Sequence, residues 1–456
     1  METSTRQRIP LDRIFSSLYA ILWLGVFPLI SGGTYAHITY DKYLAMQILS
    51  GFSLLLAVGV IVVRRVGRES ICSPRFSRSS VLVALLFFLW VAVSARFGTM
   101  HNARKENGQL IVLWGNLRYE GLIAWLCYAV IFFIGALLMR PRWPAVLSAM
   151  SFALLAFTVI LLGQYFDRDW FGFFPYGRSI HSNYEYQGTI GNIDMIVGYL
   201  SLAVPLLLFY RMLHGGRATV LFLLAGLCGV LLIFLMEVES GYLVLLGIVC
   251  LVLWIMLWAP ETRSRGCTIL CGILLCYVIR QAFVLPWLDL DEPDEAVRLI
   301  FPFGTKAYVT LFAAGFVALL AAAFHRRKGG KAFSPFRSAI VLLAVPLLGI
   351  ILLYFLPLSE NAGSLWELHE ILHLRFQNSF GSWRVGIWMA TLRMVFSDGR
   401  IALFGLGPET FLLAIEPFLE EHGIQLLFEF DNPHNLLLGC LASSGVPAAL
   451  LSLWLN

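Results

Sequence analysis

Long apolar runs recur from one end of the chain to the other, broken by short basic stretches or by longer polar ones. Twelve are read, at roughly 14–31, 45–63, 80–95, 121–139, 143–163, 191–210, 218–236, 241–258, 266–285, 305–324, 338–358 and 434–455. A spanning helix needs about 20 mostly apolar residues, and these runs meet that length. They lack the two-residue alternation of a membrane β-barrel. The predicted fold is an all-α polytopic integral membrane protein with about 12 transmembrane helices. Residues 1–358 carry helices 1–11, with short cytoplasmic and longer outer loops. Residues 359–433 form a long extracytoplasmic loop with helical segments, and 434–456 the last transmembrane helix.

Composition agrees with the pattern. The 456 residues are 59% hydrophobic and 13% charged, whereas soluble domains carry about a quarter charged residues. Charge then orients the chain. With the N-terminus in the cytoplasm, 19 of the 33 basic residues fall in cytoplasmic connections, from Arg6, Arg8 and Arg13 through Arg64, Arg65 and Arg68 to Arg326, Arg327 and Lys328. The same connections hold Glu2, Asp12, Glu69 and Glu261, 4 of the 28 acids. Basic residues in short cytoplasmic loops set orientation. The first run follows arginines but has no small-residue cleavage site after it, so it is read as an anchor. The net charge of +5 is accounted for by topology and implies no nucleic acid. The eight cysteines lie mostly within apolar runs and form no C-x-x-C pair, so they read as small buried residues.

The outer face receives the long polar stretches, and long loops are usually functional. "HEILH", His369–His373, matches H-E-x-x-H. On a helix both histidines share a face and suit zinc, with Glu370 as base. No third ligand stands nearby in sequence, and an amphipathic surface helix is the favoured reading. The acidic "DLDEPDE" (Asp289–Glu295) and "DRDW" (Asp167–Trp170) suit a hard cation, but solvated acidic loops explain them more simply. "GSWRVGIW" places Arg384 and Trp388 four apart, on one helical face, and a guanidinium fork suits phosphate. In "FGLGPETF", Gly405 and Gly407 permit a sharp turn. Pro408 is expected as a first helical residue, with nearby amides free to hold an anion. "GNLRYEGL" sets Arg118 just outside the fourth span. "GTIGNIDMIVGYL" opens the sixth with Asn192 and Asp194, and Arg280 lies within the ninth, where a cation is a candidate functional residue.

In chain order, "GTIGNIDMIVGYLSLAVPLLL", "SGYLVLLG", "FGSWRVGIW", "FGLGPETF" and "PHNLLLGCLASSGVP" resemble the O-antigen ligase and polymerase family of bacterial membrane glycosyltransferases. The resemblance covers the last two thirds of the chain. It implies an enzyme that transfers a glycan from a polyprenyl-diphosphate carrier to an acceptor hydroxyl, at the outer face of the inner membrane. It implies no cofactor, metal or nucleotide. The family's essential histidine falls on His434 and its long-loop arginine on Arg384. Substrate contacts are expected from Arg118, Arg280, Asn192, Asp194, Trp388 and Asn435. The partners implied are the lipid-linked donor, a glycan, lipid or protein acceptor, and membrane lipid.

Two departures stand out. Relatives carry an arginine in the run matched here by Glu239, Ser240 and Gly241, so a second phosphate ligand is expected from Arg118 or Arg280. Relatives also continue through further helices, so the chain is expected to be truncated at Asn456. Asn432 is expected to cap the last span and Pro433 to begin it, with His434 in its first turn. There the positive helix end would favour a neutral, proton-accepting imidazole and attract phosphate. The rival readings are a lipid-linked glycan flippase or transporter without catalysis and, behind it, a membrane zinc protease built on His369, Glu370 and His373.

Overall fold

The computed structural model describes residues 10–32, 35–68, 70, 78–166, 168–173, 188–236, 238–280, 350–351, 353–355, 357–360, 364–381, 383–426 and 430–455. The acidic 289–295 stretch, the apolar run 305–324 and most of 338–358 lie outside them.

The regular structure among the described residues is helical, with one isolated bridge between Arg104 and Leu110. In chain order the helices are α1 (Leu11–Ile21), α2 (Ile38–Val66), α3 (Arg78–Phe97), the single turn α4 (Ile111–Trp114), α5 (Leu122–Leu137), α6 (Trp143–Tyr165) and α7 (Ile193–His214). There follow α8 (Val220–Met236), α9 (Glu239–Trp258), α10 (Arg263–Ile279), α11 (Ser364–Leu372), α12 (Arg384–Ser397), α13 (Gly399–Phe404), α14 (Phe411–Glu421) and α15 (Leu436–Leu455). Among the described residues, seven segments are long and apolar enough to cross a membrane. They are Leu11–Leu29, Ile38–Val66, Arg78–Phe97, Trp143–Tyr165, Ile193–His214, Ser240–Trp258 and Leu436–Leu455. Leu122–Leu137 and Val220–Met236 are apolar but shorter. Such helices are apolar on their outer faces too: Leu55, Val58 and Val62 of α2 stand exposed, as suits hydrocarbon and not water. This is a polytopic, membrane-embedded architecture.

The chain divides into two units, Met1–Trp23 with Ala36–Trp143 and Arg375–Asn456, and Leu24–Tyr35 with Pro144–Leu374. The second unit packs α6 to α10 around Phe157, Leu200, Leu207, Ile233, Val252 and Ile269. Gly226 and Gly229 of α8 lie against Leu208 and Val204 of α7. Small residues let helix backbones approach where hydrocarbon supplies no hydrophobic drive.

In the first unit α1 is clasped to α2 by a buried ion pair. Arg64 donates through Nε and Nη2 to Asp12 Oδ2 at 3.2 and 3.1 Å. The two side chains are 0% and 7% exposed. Arg64 was counted above as a cytoplasmic loop cation. It lies within α2, and its charge is cancelled inside the fold.

At its other end the unit packs α15 on α3 and α13, and α15 is broken. Gly445 is left-handed (φ 76°) inside it, and Pro447 follows. Proline has no N–H for Ser443 and its ring crowds that carbonyl. The carbonyls near the break find other donors. Leu406 N bonds Ala442 O (2.8 Å) and Gly407 N bonds Ser443 O (2.9 Å). Ser94 Oγ also bonds Ser443 O (2.7 Å), and Trp90 Nε1 bonds Ser444 O (2.9 Å). A Cβ on Gly445 would strike the Leu403 carbonyl, and one on Gly405 the backbone at Ser443. Irregular backbone within a membrane survives only when its polar groups are satisfied in this way.

This arrangement corrects two expectations. The amides of Leu406 and Gly407 are spent on α15 and hold no anion. Pro408 does not open a helix, since α14 begins at Phe411 after Thr410. Gly445 packs closely on the Leu403 carbonyl, while Gly439 faces open space.

Candidate functional site

The last span starts later than expected. Asn435 is the residue before α15, and its Oδ1 accepts from Leu438 N at 3.1 Å, three residues on, as an N-cap does. Asn432 makes a separate turn: its Oδ1 accepts from His434 N at 2.6 Å, the two-residue reach of an Asx-turn. Pro433 is therefore not helical and His434 is not in the first turn. His434 lies just ahead of the cap, exposed, with left-handed backbone (φ 49°). Phe430 packs edge-on to its ring, centroids 5.7 Å apart. Asn435, expected at substrate, has its side-chain oxygen committed to the helix start.

Two remote segments fix this turn. Trp388, one turn into α12, donates Nε1–H to the Pro433 carbonyl at 2.8 Å. Its polar tip thus holds the chain ahead of His434 and is not free for substrate. Arg384 opens α12, one turn (about 5.4 Å) before Trp388 on the same face. It makes no ion pair with any described residue. From the other side, Arg118 donates Nη2–H to Asp431 Oδ1 at 2.9 Å and Nε–H to Oδ2 at 2.5 Å. Both side chains are 29% exposed. Arg118, expected on phosphate, spends this edge of its fork three residues from His434.

Glu409 completes the group. Its Oε1 accepts from Arg118 N and its Oε2 from Glu120 N, each at 2.5 Å, and the Asn116 amide joins them. The turn that brings these amides together needs Gly115 (φ 76°), where a Cβ would strike Glu409 Oε2. Burial raises the Glu409 carboxyl above the ordinary carboxylate range, against the pull of those amides and of Lys105. Burial raises Glu120 too, opposed by Arg118 and reinforced by Glu409 and Asp431. Lys105 sits over the Tyr119 ring at 4.8 Å, and Tyr119 stacks on Tyr43 at 5.3 Å.

The remaining candidates belong to the second unit. Asn192 caps α7, accepting from Asp194 N (2.8 Å) and Met195 N (3.4 Å). That cap explains the asparagine without a substrate, and Asp194 sits exposed at the positive end of α7, where a carboxylate is favoured. Arg280 is 2% exposed, at the end of α10. His369 and Glu370 contact at 3.4 Å on α11. His373 stacks on Tyr354, centroids 4.3 Å apart. Among the described residues no three metal-binding side chains converge.

Glu409 and Asp431 were missed by the sequence reading. Glu409 stands inside "FGLGPETF" and Asp431 just ahead of Asn432, but the partner of each is 291 or 313 residues away, a separation that motif spacing does not report. No protein-family model, curated protein or solved structure matches the chain.

Proposed function

We propose that the chain is an inverting, metal-independent glycosyltransferase of O-antigen ligase or polymerase type. It moves a glycan from a polyprenyl-diphosphate carrier to an acceptor hydroxyl at the outer face of the bacterial inner membrane. His434 takes the acceptor proton as general base. The acceptor oxygen attacks the anomeric carbon, the bond to the diphosphate breaks, and Arg384 neutralises the departing charge. About twelve spans, a cytoplasmic N-terminus and an extracytoplasmic 359–433 loop belong to this proposal.

One observation carries it. Six described non-glycine residues have left-handed backbone, and four of them are Tyr119, Trp383, Glu409 and His434. These are the neighbours of Arg118 and Arg384, the carboxylate beneath Arg118, and the proposed base itself. Each such conformation costs on the order of 1–3 kcal/mol and persists where the surroundings over-determine it, typically at functional sites. A histidine kept for packing would be buried, and His434 is exposed. The transport reading finds a helix break at Gly445, but the carbonyls of Ala442, Ser443 and Ser444 there are bonded to protein.

The test is transfer by membrane-inserted protein with a defined donor and acceptor. His434→Gln is expected to lower the rate about a hundredfold with donor binding kept. Arg384→Lys is expected to weaken donor binding, transfer or both, because an ammonium does not reproduce the fork. Near-normal rates in both variants sink the mechanism. Orientation is tested separately. In a cysteine-free background, Glu420→Cys is expected to react with an impermeant thiol reagent from outside and Gly330→Cys is not. The reverse pattern inverts the topology. Glycan analysis of a deletion strain then separates a ligase, which leaves polymer on the carrier, from a polymerase, which leaves single units on the acceptor.

A further inference from the structure

The proposed base sits on an exposed turn with no helix of its own beneath it, and a turn that is free to move cannot hold a reacting group in place. What holds it can be traced outward. Asp431 lies three residues before His434, and Arg118 grips Asp431 through two parallel bonds. Arg118 is itself on irregular chain, between the one-turn helix α4 and α5. Gly115 N still bonds Ile111 O at the end of α4 (2.7 Å), but Asn116, Arg118 and Glu120 have no ladder or helix to anchor their amides. They are anchored instead by one side chain from a different part of the sequence, the Glu409 carboxylate, which collects their N–H groups. Glu409 reaches them from a left-handed backbone position (φ 55°). That position closely follows Leu406 and Gly407, whose amides are tied to the broken helix α15.

We propose that Glu409 is the positioning residue of the site: its carboxylate holds the 115–120 turn so that Arg118 presents its fork to Asp431 and thereby sets the place of His434. The inference rests on the proposed role of His434 for its functional consequence, although the relay itself is a statement about geometry. The relay starts at the break in α15, whose carbonyls accept bonds from Leu406, Gly407, Ser94 and Trp90. It passes through Glu409 and Arg118, and ends at the turn ahead of the same helix. One helix thus supplies both the anchor and the part being positioned. A side chain of this exact length is required. Aspartate is one methylene shorter and does not span the amides of Arg118 and Glu120 together. Glutamine offers one acceptor where two are used and turns an NH2 toward a backbone N–H.

The experiment is hydrogen–deuterium exchange on the full chain in lipid nanodiscs, read at peptides covering 115–121 and 430–436, together with transfer kinetics on the same preparations. Glu409→Gln is expected to speed exchange at least about tenfold in both peptides, since each loses bonds that close it. It is expected to lower kcat with KM for the donor little changed, because a displaced base affects the chemical step and not carrier binding. Asp431→Asn is expected to release 430–436 while 115–121 stays protected, which gives the relay its direction. Release of 115–121 with 430–436 and kcat unchanged overturns the proposal, as does unchanged exchange in both peptides. If Glu409→Gln does not accumulate, Glu409→Asp takes its place under the same criteria. Exchange reports the relay without any enzymatic activity. If both peptides respond as expected while wild-type protein shows no transfer, the positioning role stands and the glycosyltransferase reading falls.

Discussion

The first unit contains two arginine–aspartate pairs of similar chemistry in opposite surroundings. Arg64–Asp12 is buried between α1 and α2, at 0% and 7% exposure. Arg118–Asp431 is at 29% on both sides and is bordered by Glu120 and Glu409, whose carboxyls are both raised. The first joins two regular helices that have little freedom to move. The second joins two irregular segments, one also held by Glu409 and the other by Trp388. A buried pair makes large demands on both partners, because either one alone is an uncompensated charge. A half-exposed pair contributes little to global stability, since water and salt screen it. The comparison teaches that the weaker pair specifies local geometry where the stronger specifies assembly.

The sharpest way to break this contrast is to remove one partner from each. Asp12→Ala takes away the carboxylate that faces the buried Arg64 guanidinium, a loss of about 3–5 kcal/mol. The expected outcome is a large fall in the thermal midpoint of detergent-solubilised protein, or failure to accumulate. The double change Asp12→Leu with Arg64→Met is expected to restore most of it, as apolar replacements of buried pairs often do. If Asp12→Ala melts like the wild type, the pair is not the clasp described. Asp431→Asn in the second pair is expected to move the midpoint by less than about 1 kcal/mol equivalent. Its transfer rate is expected to fall about tenfold, the range for a disturbed reacting geometry. A midpoint loss as large as that of Asp12→Ala would erase the difference between the pairs.

The same two pairs mark how much was readable in advance. Helix placement was legible because about 20 apolar residues in a row have few other uses: α2, α3, α6 and α7 cover the runs expected at 45–63, 80–95, 143–163 and 191–210. The start of α15 was off by a few residues, because "DNPHN" offers two asparagines and the nearer one won the cap. Arg118, Trp388 and His434, each named from a different stretch, lie in one unit. Their roles were not all legible. Arg118 read as a ligand because a guanidinium suits phosphate, and Trp388 because it stands one turn from Arg384. The partners that occupy them, Asp431 and the Pro433 carbonyl, come from chain 313 and 45 residues away. Arg64 and Asp12 read as loop charges because local composition does not reveal a buried partner 52 residues off. Pattern reports periodic structure, and irregular segments take their geometry from contacts that no local pattern encodes.

The smallest expected effect sharpens the comparison most, because two physical terms oppose each other at Glu409. Three backbone amides and Lys105 favour its ionised form, while burial disfavours it and is the larger influence, so its titration lies above the ordinary carboxylate range. Glu120 and Asp431, both acidic, border the same turn with Arg118 between them. A carboxyl whose titration is raised by folding binds its proton more tightly in the folded state. Its contribution to stability is then full on the acid side and is lost as pH rises through the raised value. Glu409→Gln removes this titration and leaves Glu120 and Asp431 in place. The thermal midpoint of the wild type, measured relative to Glu409→Gln, is therefore expected to rise as pH is lowered from about 8 to about 5. A carboxylate dominated by its hydrogen bonds would do the opposite, losing stability on acidification as its acceptors are protonated. Melting both proteins across that range decides which term governs the turn. A gap that narrows toward acid would mean that the amides outweigh burial at this turn.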